Sequence, residues 1–171
     1  MSQSRQIFLH GSFGQRHLKE ILSAQLLGLI FKPELVWIVS PWITNFILLD
    51  NCAGDWDVVD LSWSNREVSF VDFLVKLSDV GCQINVVTRD DSINNPFIGQ
   101  VLNRVKSDEN IKFIMKDTLH TKGIVTSAFF LKGSMNLTFS GVNRNDETLM
   151  ITNDPVMISD AIVEFENTYN D

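Results

Sequence analysis

At 171 residues, 44% of them hydrophobic and 20% charged, the chain has the length and balance of one folded domain and excludes a disordered segment. A formal net charge of −7 excludes indiscriminate coating of nucleic acid, which needs a basic face, yet allows a small basic cleft on an acidic body. Cys52 and Cys82 are too few for a disulfide framework and lack metal-ligand spacing, which points to a reducing, cytosolic setting. Polar Ser2 to Gln6 reads as no secretory signal. Apolar Ile21 to Phe31 is stopped by Lys32-Pro33-Glu34 before it reaches bilayer-spanning length.

No internal repeat or flexible linker divides residues 1–171, so a single domain is expected. Leu18 to Phe31 predicts a helix closed at Pro33. Leu35 to Val39 is apolar throughout, as in a strand covered on both faces, and Ser40-Pro41-Trp42-Ile43 turns out of it. Asn51 to Asn65 reads as a surface excursion. Ser69 to Val80 spaces Phe70, Phe73, Leu74 and Leu77 as a helix does, with Gly81 as its stop. Strands are expected at Ile84 to Thr88 and Ile111 to Met115, around a helix from Asn95 to Ser107 that carries Pro96 in its first turn. Lys122 to Ser127 and Phe129 to Lys132 predict two short strands about a tight turn, Glu147 to Thr152 another, and Pro155 to Tyr169 a final helix. The sum is an α/β sandwich with a mixed sheet and helices on both faces, in which functional groups gather at strand ends.

At two such ends lie His120 and Lys122, and Gly133-Ser134-Met135-Asn136, with Glu147 beyond. Cleaving a phosphodiester without metal needs a nucleophile, a proton donor for the leaving oxygen, and groups that hold the anionic oxygens. Residues two apart on an extended segment share a face, so His120 and Lys122 project together. Imidazole serves as nucleophile or acid, ammonium neutralises phosphoryl charge, and Ser134 and Asn136 donate hydrogen bonds. Other groups read as bland. His10 and His17 are structural or exposed; Gly11-Ser12-Phe13-Gly14 lacks the lysine of a phosphate loop and is an ordinary turn. Asp55, Asp57 and Asp60 form a solvated acidic loop without the rest of a calcium site. Trp37, Trp42, Trp56 and Trp63 are candidate base-stacking groups, of which Trp37 reads as core.

The H-x-K … G-S-x-N arrangement resembles that of the phospholipase D superfamily, and the resemblance extends over most of the chain. It implies a phospholipase D-like α-β-α sandwich and a metal-independent phosphodiesterase with no cofactor. Thr138, Asn143 and Glu147 follow as in the small nucleases of that superfamily, where a downstream carboxylate orients the histidine ring; Glu147 takes that role by resemblance. Two departures stand out. Ser127 occupies the place of the aspartate in the fuller H-x-K-x-x-x-x-D pattern, and there is one H-x-K where the mechanism uses two. Small relatives solve the second with a symmetric homodimer. By resemblance, His120 of one subunit attacks phosphorus to form a phosphohistidine, and His120 of the other protonates the leaving oxygen. The chain is similar to small members found in bacterial DNA-modification and phage-defence clusters, including the one that accompanies 7-deazapurine modification. DNA, a second copy and other proteins of such a system are the expected partners, with no membrane. The alternatives are a degenerate subunit that binds DNA or a protein, and a lipid phosphodiesterase.

Overall fold

A computed structural model of the chain describes residues 3–170; Met1, Ser2 and Asp171, which the expected single domain and the polar Ser2 to Gln6 stretch also draw on, lie outside it. Ser4–Phe8 forms an edge strand (β1) that the sequence reading left unassigned. Only Ile7 of it is buried, so its pattern is too thin to stand out. The first helix (α1) runs Gly11–Phe31, beginning well before the expected Leu18. The Gly11 to Gly14 stretch is thus helical and not a turn. His10 at the N-cap makes no side-chain cap bond, so the usual start signal is missing.

Leu35–Val39 is the expected strand (β2), with Val36 and Ile38 in one hydrophobic cluster and Trp37 and Val39 in the other. That split between odd and even positions is what burial on both faces demands. The Asn51 to Asn65 excursion is bracketed by Ile47–Asn51 (β3) and Arg66–Ser69 (β4), which pair antiparallel as a small separate sheet. Inside it, Asn51 is buried; its amide accepts from the Trp56 backbone N–H and donates to Asp57 and to the Trp63 carbonyl. Trp63 belongs to the core, and Trp56 packs against it.

Phe70–Asp79 (α2) starts on a Ser69–Asp72 capping box. Gln83–Arg89 (β5), Asn95–Leu102 (α3) and Ile111–Lys116 (β6) follow. Helix α3 ends before the expected Ser107, where Arg104 reaches across to Asp72 at 2.5 Å. Gly123–Val125 (β7), Phe130–Gly133 (β8), the short helix Phe139–Asn143 (α4), Thr148–Thr152 (β9) and Pro155–Tyr169 (α5) complete the chain.

The seven-stranded sheet has the order β1-β9-β8-β7-β2-β5-β6. Strands β2, β5 and β6 are parallel, and the remaining neighbours are antiparallel. One face packs under α1 to α4 and the other under α5, whose Ile158, Ala161, Phe165 and Tyr169 cluster with Trp37, Val125 and Phe130. This is the expected α/β sandwich with a mixed central sheet.

Candidate active site

Strand order alone brings the motif residues together. The β7–β8 hairpin pairs Gly123 with Lys132, so His120 to Lys122, just before β7, face Ser134 to Asn136, just after β8. Strand β9 pairs Gly133 with Leu149 and so brings Glu147 alongside. A Cβ on Gly133 would stand 2.2 Å from the Thr148 carbonyl oxygen, so the close approach of β8 and β9 at this point requires glycine. At Gly141 a Cβ would meet the Asn136 carbonyl oxygen, also at 2.2 Å, so α4 presses directly on the backbone that carries the site asparagine.

At this end of the sheet opens a cleft of about 690 Å³, lined by His120, Thr121, Lys122, Ser134 and Asn136 together with Gln6, Trp42, Phe130, Lys132, Thr148 and Met150. Among the described residues two lysines and a histidine line it and no carboxylate does, Glu147 standing one hydrogen bond behind Ser134. On a chain of net charge −7, this is a local reversal of sign that favours an anion.

His120 is exposed and Lys122 half-buried, in irregular chain just ahead of β7. Lys122 Nζ donates to the His120 carbonyl at 2.6 Å, which fixes the pair as a unit. Burial lowers the Lys122 pKa; the Glu147 carboxylate opposes the shift and the Arg89 cation adds to it. Ser134 Oγ donates to Glu147 Oε2 and accepts from the Thr148 N–H at 3.1 Å. The other Glu147 oxygen accepts from the Asn145 amide at 3.3 Å. Thus Glu147, assigned by resemblance to the His120 ring, is bonded in this arrangement to Ser134 and Asn145, and Ser134 directs its proton to the carboxylate and not to the cleft. Asn136 lines the cleft with a buried Oδ1 that lacks a hydrogen-bond partner among the described residues. A buried acceptor left without a partner costs roughly 1–3 kcal/mol, and with that oxygen turned inward the other end of the amide, its NH2, is the part left to face the cleft.

Several contributors escaped the sequence reading. Lys132, directly before Gly133, is a cleft cation whose only signal was its adjacency to the motif. Trp42, one of four candidate base-stacking tryptophans in the sequence, is the one that borders the cleft. Arg89 at the end of β5 sits with its guanidinium 4.9 Å from the Trp42 ring centroid and donates to the Leu119 carbonyl at 2.8 Å, bracing the turn before His120. No local pattern marks it, because its partners are distant in sequence.

Ser127 lies beyond β7, at the end opposite the cleft, and donates to Glu34. At about 3.3 Å per extended residue it is roughly 16 Å from Lys122. The departure from the aspartate pattern therefore falls outside the cleft. His10 is exposed, 3.4 Å from Asp146, and His17 lies against Phe13 and Glu20 on α1. Thr138 caps α4 through the Gly141 N–H, and the Asn143 amide bonds back to the Phe139 carbonyl. Asp60 caps a 3-10 turn and pairs with Lys76 at 3.0 Å.

The family described as "Cardiolipin synthase, PLD-like domain" matches residues 47–169, a span that holds His120, Lys122, Ser134, Asn136 and Glu147, while the cleft residues Gln6 and Trp42 lie before it. No curated protein sequence matches the chain. Among solved structures, it is similar to NucT from Helicobacter pylori, with TM-score 0.64 and 16% identity over 98% of this chain and 95% of that one. It is likewise similar to Nuc from Salmonella typhimurium, a phospholipase D family member, with TM-score 0.62 and 13% identity over 99% and 95%. TrmBL2, an archaeal chromatin protein with a novel mode of DNA binding, gives TM-score 0.54 and 8% identity over 97% of this chain and 50% of that one. At these identities the likeness is one of fold.

Proposed function

This chain belongs to the family of PLD-like domains, and on that premise we propose that it is a metal-independent phosphodiesterase that cleaves nucleic acid, DNA foremost, in a bacterial DNA-modification or phage-defence setting. The observation that carries this reading is the cleft, cationic at Lys122 and Lys132 and free of lining carboxylates on an acidic chain. A nitrogen of His120 attacks phosphorus, forming a P–N bond as the P–O bond to the leaving group breaks. The leaving oxygen takes its proton from His120 of a second copy, and water then hydrolyses the phosphohistidine with the proton returned to that second imidazole. Lys122 and the Asn136 amide hold the equatorial oxygens as charge builds.

A homodimer supplies the second histidine, since His120 is the histidine that lines this cleft. In support, among the described residues no side chain of β1 or β9 joins the hydrophobic cluster built on α5. Gln6, Thr148 and Met150 border the cleft there, and Phe8 is 53% exposed beside them. Support for nucleic acid over lipid comes from Lys132, a second cation lining the cleft, since a polyanion offers a neighbouring phosphate for it.

The test is cleavage of single- and double-stranded DNA in EDTA, with His120→Ala alongside and the mass measured by light scattering. EDTA-resistant cutting by a dimer, lost in the variant, is the expected result. Turnover of phospholipid vesicles but not DNA moves the site to the lipid branch. DNA binding without cutting by wild-type protein makes it a binding subunit.

A further inference from the structure

Resting on that reading of the cleft as a phosphodiester site, we propose that Trp42 is a base-stacking platform, taking a nucleobase next to the scissile phosphate and so selecting base-bearing polymers over base-free diesters. Trp42 differs from the core tryptophans: Trp37 and Trp63 are 1% and 2% exposed, whereas Trp42 is half-buried and borders the cleft with His120 and Asn136. Arg89 lies over one face of the ring, its guanidinium carbon 4.9 Å from the centroid, and is not itself among the cleft-lining residues, which leaves the other face for a base. The indole N–H reaches Asp91 at 3.4 Å, which sets the ring's rotation about its bond to the chain.

The backbone under the ring is held more firmly than a surface turn requires. The Pro41 carbonyl accepts from the Arg89 N–H, Thr88 Oγ1 and Asn94 Nδ2 at 3.2, 3.2 and 3.0 Å. Fully buried Asn94 also accepts from the Ile43 N–H at 2.8 Å. Ser40 Oγ donates to the Trp42 carbonyl at 2.7 Å and accepts from the Leu137 N–H at 3.0 Å, tying the turn to the segment that carries Asn136. Platform and phosphate-binding amide therefore share one rigid frame. A base that lies on the indole orders little protein, so nearly all of the stacking attraction appears as affinity.

The test compares oligothymidylate with a tetrahydrofuran abasic oligomer of equal length and equal phosphate number, in EDTA. Wild-type protein is expected to show a KM for the thymidylate on the order of ten- to a hundred-fold lower. Trp42→Leu brings the two KM values together, and Trp42→Phe retains most of the gap. A His120→Ala protein, cleavage-silent, reports the same ratio through binding. A gap that survives Trp42→Leu, or wild-type cutting of both oligomers with equal KM, overturns the platform and leaves the phosphodiesterase reading standing. Neither cutting nor binding of either oligomer removes both.

Discussion

Lys122 holds the carbonyl of His120, and burial has lowered its pKa below that of an ordinary lysine. The charged form exists below that pKa and is lost as pH rises through it. Activity should thus fall on the alkaline side earlier than an exposed lysine, near 10.4, would allow, and Lys122→Arg should flatten that limb; the kcat/KM profile against pH measures both. The hydrogen bond from Ser134 to Glu147 makes a second claim at this scale. If Glu147 acts through Ser134, then Ser134→Ala and Glu147→Ala remove the same interaction, and the double variant should be no slower than the worse single one. Additive losses in kcat would instead return Glu147 to the His120 ring.

Asp72, 4% exposed, binds three elements into one block: it caps α2, receives Arg66 from β4 and Arg104 from the end of α3. Burial works to raise its pKa, yet the two guanidiniums and Ser69 hold it well below the usual carboxylate range. Its stabilisation is complete above the unfolded value of about 4 and is lost as pH falls toward the folded one. Asp72→Asn should cost about 2 kcal/mol at neutral pH, less than a fully buried pair because both arginines reach solvent. The gap from wild type in urea melts should narrow in acid. Elements with strong patterns were legible in advance. The unbroken apolar run of β2 and the spacing and cap of α2 announce themselves, and α5 ends where its pattern does. Elements without local signals were not. β1 buries one side chain, and the first turns of α1 lack a cap. The same divide runs through the site, where His120, Lys122, Ser134 and Asn136 form a readable motif, while Arg89 and Lys132 acquire meaning only from sheet order.

Across the whole molecule, charge is divided between an acidic body and a cleft with two lysines. Affinity for a single strand should fall with salt at a slope of log K on log concentration of about −1 to −3, counting one or two copies of the cleft; fluorescence anisotropy over a salt series reads it, and a flat line contradicts polyanion binding there. The sheet joins Ser4 to Thr152 and Gln6 to Met150, so the wall beside His120 is built from segments separated by nearly all of the chain between them. On the ribosome, where chains emerge at roughly 5–20 residues per second, the His120-Thr121-Lys122 segment is made well before its wall exists. Until β9 has emerged and captured β1, the nascent chain carries His120 without an assembled cleft, and whatever the cleft does begins only after the sheet has closed.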